Sequence, residues 1–235
     1  QSINVQSPDQ DHLLYEFDPP PGEYRIRGKL GTNPYFVLTE HTTRHVPHPG
    51  ARDWAPLVLG ALEIFDPTIR ATRSHLSSDD LAYGPDGSFE IVLSAREQAG
   101  NWFRLHPDTL GLMIRVVFLD RATETPPTFT IERLDGARPR PMTAEHIAHG
   151  LAKTALNVLG YSEMQRTWYL DNLNDRPNGL LFSRQHYLTY GGVPDRHFAF
   201  GVWDKPADKA LVLRFTPPEC EYWNFQLCNV WKENL

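Results

Sequence analysis

Three imidazoles, His41, His45 and His48, fall within one short stretch, and neutral imidazole nitrogens are common ligands for a single metal ion in hydrolytic or oxidative sites. Spacing of four would put two of them on one helical face. Residues 39–43 instead read as a strand end entering a loop, where that spacing has no fixed geometry. A second group lies near the carboxyl end, in Glu219-Cys220-Glu221-Tyr222-Trp223-Asn224-Phe225-Gln226-Leu227. If this stretch is extended, Trp223, Phe225, Leu227 and Trp231 share one face as core, and Tyr222, Asn224 and Gln226 share the other. A phenol and two amides in a row beside the carboxylate of Glu219 suit a polar organic ligand, and Trp223 adds a ring on which such a ligand could stack. Solvent or cross-strand hydrogen bonding would use the same face equally well. Arg115 sits inside the apolar run Leu112-Met113-Ile114-Arg115-Val116-Val117-Phe118. A guanidinium placed there needs a carboxylate, for which Glu219 and Glu221 are candidates, or else clamps an anionic ligand in two-pronged fashion. Arg104, two residues after Trp102, supplies a second cation for the same anion.

The elements that must hold these groups belong to a chain of 235 residues, with 40% hydrophobic and 22% charged residues and a formal net charge of -6. With 12 Phe, 6 Trp and 9 Tyr, it carries too much bulky apolar surface for a disordered segment. The negative balance argues against nucleic acid as a partner, because that affinity rests on clustered Lys and Arg. No run approaches the roughly 18 apolar residues of a membrane span, so a membrane is not expected either. Cys220 and Cys228 would lie about 26 Å apart along an extended segment and read as free, buried thiols. Reduced thiols and the lack of a signal-peptide pattern give a cytoplasmic expectation. No Gly-x-Ser-x-Gly elbow, phosphate-cradling Gly loop or dinucleotide fingerprint occurs, which disfavours hydrolase-fold, kinase and Rossmann chemistry.

Twenty Pro and 16 Gly punctuate the chain at short intervals, which suits strands joined by turns. Alternation predicts strands at 24–30, 35–42, 88–94, 102–105, 112–119 and 128–134, with a further element at 57–65. From Thr143 the periodicity changes. Ile147, Leu151, Ala155, Val158 and Leu159 recur at helical spacing, with Thr143 as N-cap and Gly160 as the stop, and His146 and His149 on the solvent face. A second strand set is expected at 201–203, 210–215 and 221–231. The fold class is therefore mainly β: antiparallel β-sandwich or jelly-roll modules joined by a helical segment. The divisions fall at 1–136, a first sandwich module; 137–175, a helical linker; and 176–235, a second β module.

Several words of the sequence carry a resemblance: Ser7-Pro8-Asp9 before Tyr24-Arg25-Ile26-Arg27-Gly28, then Pro85-Asp86-Gly87-Ser88-Phe89, Gly100-Asn101-Trp102-Phe103-Arg104, Gly111 to Arg115, and Pro217-Pro218-Glu219 through Leu227. Together they resemble the bacterial proteins of domain of unknown function 1214, whose longer relatives also carry domain of unknown function 1254. The resemblance implies β-sandwich modules flanked by helices and no agreed activity. It also implies that the second module is an incomplete copy of the first, completed by further chain or by another subunit.

The reading that follows is a protein that binds a small organic molecule, anionic or sugar-like or sterol-like, in a cleft of aromatic and amide side chains, with Arg104, Arg115, Glu219, Tyr222, Trp223, Asn224 and Gln226 as its contacts. No cofactor is firmly implied. The alternatives are a metal-dependent hydrolase or oxidase with one ion at His41, His45 and His48, and a subunit of a homo-oligomer or larger assembly whose second module another chain completes.

Overall fold

A computed structural model of the chain describes residues 7–17, 22–42, 73–136, 138, 141–182 and 196–235. Within the first of the expected divisions, alternation resolves into eight strands: β1 (Gln10–Glu16), β2 (Tyr24–Lys29), β3 (Tyr35–Thr42), β4 (His75–Ser77), β5 (Ser88–Ser94), β6 (Trp102–Arg104), β7 (Thr109–Val117) and β8 (Thr128–Arg133). They form two four-stranded sheets, ordered β1-β7-β3-β4 and β6-β5-β2-β8. All pairings are antiparallel except β5 with β6.

Period two explains how the sheets meet. In β7, Leu112, Ile114 and Val116 point inward, and in β3 so do Phe36 and Leu38; from the other sheet come Tyr24 and Ile26 of β2 and Phe89, Ile91 and Leu93 of β5. All are buried in one cluster. Phe36 crosses between the sheets, with ring centroids 5.4 Å from Phe89 and 5.1 Å from Phe129. Burying side chains of this size is worth about 1.5–3 kcal/mol each, so this seam dominates the fold. The outward residues of β2 do less: Arg25 and Arg27 form exposed ion pairs with Glu90 and Glu132 at 2.9–3.3 Å. The turn before β5 is built by Pro85, Asp86 and Gly87, with Gly87 at φ 78° and the Ser88 amide donating to the Asp86 carboxylate at 3.1 Å. Hydrogen bonds from Ser88 hold that carboxyl down to about 2.

The helix α1 spans Ala144–Asp175, capped by the Thr143 hydroxyl, which accepts from the His146 amide at 3.1 Å. Its N-cap stands where the sequence places it, but Gly160 does not end it. One glycine costs a helix about 1 kcal/mol, too little to stop a segment that runs on through good helix formers to Asp175. Its apolar stripe also departs from expectation: Ile147, Leu151, Val158 and Leu159 are all exposed.

Beyond α1 the sheet content falls away. A two-stranded antiparallel sheet pairs β9 (Leu181–Phe182) with β10 (Ala199–Phe200), and Pro177 bridges to Val202. The strands expected at 210–215 and 221–231 do not form. These residues have no ladder partner among those described, apart from the single bridge of Cys228 to Asn234. Consequently the predicted core face is not core: Trp223 is 53% exposed, Phe225 47% and Trp231 45%. Both cysteines are free, as expected, but neither is buried. The element predicted at 57–65 lies outside the described residues. No helix among those described is long and apolar enough to cross a membrane.

Candidate functional site

The outer face of the first sheet carries the densest polar cluster of the residues singled out above. Since Leu112, Ile114 and Val116 point into the core, Met113, Arg115 and Val117 must point away from it. The registers place His12 of β1 and Val37 of β3 on either side of Arg115. Arg115 is half-buried, and its Nη1 donates to the Thr39 hydroxyl at 2.8 Å. Glu219 and Glu221, the carboxylates suggested for it by sequence, are exposed, and among the described residues neither forms an ion pair with it, since residues 210–231 do not pair into this sheet.

His12 is the residue that sequence reading did not single out. Its ring is enclosed enough that burial, reinforced by the nearby guanidinium groups of Arg115 and Arg196, lowers its pKa to about 4, with Asp11 opposing. It is a neutral imidazole at pH 7. The Gln10 carbonyl oxygen can only accept, so at 3.4 Å the His12 Nε2 carries the proton and donates. Arg196 Nη1 donates to that same oxygen, also at 3.4 Å, and its guanidinium lies 5.4 Å from the Tyr35 ring centroid. Its Nη2 is buried and has no hydrogen-bond partner among the described residues.

The carboxyl-terminal segment reaches the same strand. Tyr222 donates to Asp9 at 3.1 Å, and Asn224 Nδ2 donates to the Ser7 hydroxyl at 3.0 Å and to the Tyr222 oxygen. Burial, with Asp9 alongside, raises the Tyr222 phenol above its ordinary range, so it remains a donor. Gln226 has its side-chain oxygen buried and without a hydrogen-bond partner among the described residues.

Of the seven ligand contacts expected from sequence, Arg115, Tyr222 and Asn224 therefore meet residues of β1 or its immediate approach, while the others separate. Arg104 is exposed at the end of β6, in the opposite sheet. Glu219 is exposed, and Trp223 packs edge-on against Phe215, with centroids 5.2 Å apart. The companions of Arg115 became visible only with the β1–β7 pairing; no local signal marks His12 or Arg196 in the sequence. Of the three metal candidates, His41 is the penultimate residue of β3, and His45 and His48 lie outside the described residues. Among the described residues no three His, Cys, Asp or Glu side chains are grouped to hold a metal.

The chain is similar to an uncharacterised protein from Burkholderia cenocepacia whose crystal structure matches with a TM-score of 0.76 at 31% identity, over 99% of this chain and 60% of that one. The chain thus spans about three-fifths of that protein's length. A crystal structure of a protein from Vibrio parahaemolyticus overlaps 54% of this chain and 31% of its own at 14% identity, with a TM-score of 0.34, too low to carry an argument. No family model matches the chain. No curated protein matches it.

Proposed function

We propose that this β-sandwich protein, of the kind grouped as domain of unknown function 1214, binds a small organic carboxylate against the outer face of β1, β7 and β3. The observation that carries the reading is the Arg196 Nη2, a buried cationic donor without a hydrogen-bond partner among the described residues, beside Arg115 and a neutral His12. A buried guanidinium nitrogen left unpaired costs free energy that an arriving carboxylate recovers. The adjoining Tyr35 ring and Gln10 amide give the organic part of the ligand an aromatic and an amide neighbour. Isothermal titration with acetate, succinate and benzoate tests this. Binding of at least one, weakened tenfold or more by Arg196→Gln without a matching fall in melting temperature, supports the reading. No heat from any of the three, or equal binding by the variant, overturns it.

A second reading, a component of a larger assembly, draws on a different observation. Ile147, Leu151 and Val158 of α1 are 49%, 68% and 63% exposed, and Phe215, Phe225 and Leu227 are exposed as well. Apolar rows of this extent on a free surface are uncommon in monomers. Sedimentation equilibrium decides: a strictly monomeric particle at tens of micromolar removes this reading and leaves the first untouched.

A further inference from the structure

Glu40 is a carboxylate on the wrong side of its strand. It shares the inward face of β3 with Phe36 and Leu38, and its side chain is fully enclosed. Such a group survives only if both oxygens are saturated by donors. Oε1 accepts from the Arg73 amide at 2.9 Å, the Arg73 Nε at 3.2 Å and the Ser74 amide at 3.1 Å. Oε2 accepts from the Thr109 hydroxyl at 2.9 Å and contacts His106 Nδ1, also at 2.9 Å. The Thr109 hydroxyl must give its proton to Glu40, because it is itself the acceptor for the His106 amide at 2.8 Å. Every neighbour of the carboxylate is thus a donor, and His106 Nδ1 must carry a proton.

That assignment fixes the other ring nitrogen. With the proton on Nδ1, the neutral imidazole keeps a bare lone pair on Nε2. The ring is partly exposed, at 21%, and Nε2 has no hydrogen-bond partner among the described residues. His106 is pinned from its backbone too, since Thr109 donates to its carbonyl at 3.0 Å in a tight turn between β6 and β7. Asp108, bonded to Arg73 at 2.7 Å and held below the usual carboxylate range by that bond, lies in the same turn.

We propose that Glu40 and His106 form a proton-accepting dyad, a second site separate from the carboxylate-binding face, in which His106 Nε2 takes the proton of an O–H group docked against the turn at 106–109. The proton passes from oxygen to Nε2, and the bonding pair stays on oxygen, which becomes the nucleophile. The resulting imidazolium keeps its Nδ1 proton on Glu40, whose charge balances it. When water is the O–H group and an ester the electrophile, the new bond is from water oxygen to the acyl carbon. The bond that breaks is to the leaving alkoxide or phenolate oxygen, to which Nε2 then returns the proton, restoring the neutral ring.

Glu40→Gln separates this arrangement from a merely structural one. Three donors converge on the Oε1 position, so the glutamine oxygen is held there and its NH2 turns toward Thr109 and His106. Nδ1 must then accept, and the proton moves to Nε2. Nitrogen-15 correlation spectra of the full chain with labelled histidine, assigned with His106→Gln, read the tautomer directly. The expected result is a pyridine-type Nε2 in the unaltered chain and a pyrrole-type Nε2 in Glu40→Gln. Hydrolysis of p-nitrophenyl acetate is expected to fall at least tenfold in both His106→Gln and Glu40→Gln. A protonated Nε2 in the unaltered chain overturns the proposal without recourse to any variant, and so does hydrolysis that His106→Gln leaves unchanged. Neither result bears on carboxylate binding at Arg196, which separate titrations measure.

Discussion

Tyr222 donates its phenolic proton to the Asp9 carboxylate across 3.1 Å, a contact between residues 213 positions apart that ties the carboxyl-terminal segment to the approach of β1. Few other contacts hold that segment, since it enters no ladder among the described residues. Tyr222→Phe keeps the ring and removes the donor. It is expected to cost about 1–3 kcal/mol, the range for a hydrogen bond to a charged acceptor, and to speed proteolysis within residues 221–231. Denaturant melts and a timed chymotrypsin digest, cutting after the Tyr, Trp, Phe and Leu residues of that stretch, read the two effects; a variant unchanged in both would show that the contact holds nothing in place.

His12 makes stability depend on pH. Its folded pKa of about 4 lies below the ordinary 6.5 of the unfolded chain, so between those values the unfolded state binds more protons. Stability therefore rises with pH from about 4 to 6.5 and is lost on acidification through the same window. After allowance for partial exposure the loss is about 2 kcal/mol. His12→Gln keeps a donor at this position and should flatten the slope between pH 6.5 and 4 in urea melts. A slope equal to that of the unaltered chain would place the titration elsewhere.

Gly28 tests the packing of the second sheet. It lies on the inward face of β2 between β5 and β8, where an added Cβ would collide with the Thr128 carbonyl and the Phe89 ring. The carbonyl belongs to a paired strand and has little freedom to yield. Gly28→Ala is expected to destabilise by about 1–3 kcal/mol despite the usual gain from replacing glycine in a strand. Thermal melts check it; a stabilised variant would mean that β8 moves aside easily.

The ion pairs on the outer face of the same sheet should matter far less. Arg27→Ala breaks exposed bonds to Glu90 and Glu132 and is expected to cost under about 1 kcal/mol, with the difference shrinking in 1 M salt. A cost that survives high salt would indicate that the Arg27 stem, and not its charge, covers the strand.

Legibility of the fold followed the strength of alternation. Phe89, Ile91 and Leu93 alternate with polar residues and announced β5, and the same pattern exposed β2, β3 and β8. In β1 the signal is hidden, because Leu13, Leu14 and Tyr15 are consecutive and period two disappears at an edge where both faces are half open. β4 is three residues long and carries no period at all. Near the carboxyl end the alternation of Trp223, Phe225 and Leu227 was real in the sequence, but alternation supplies no partner strand, and without one the faces are not sorted into core and solvent. Arg115 was legible as a charge in an apolar run. Its companions His12 and Arg196 were not, since only long-range pairing brings them together. Glu40 offered the same kind of signal as Arg115, a charge continuing the inward series of Phe36 and Leu38, and His106 could have been sought from it.

The pairing of Gln10 with Val117 and of Glu16 with Gly111 has a consequence for synthesis of the chain. On a ribosome β1 emerges first, and about a hundred further residues must be polymerised before β7 exists to receive it. During that interval residues 10–16 present unpaired backbone and a Leu-Leu-Tyr sequence to solvent or to neighbouring nascent chains. The strand that supplies His12 thus has no ladder partner among the described strands until translation has passed β7.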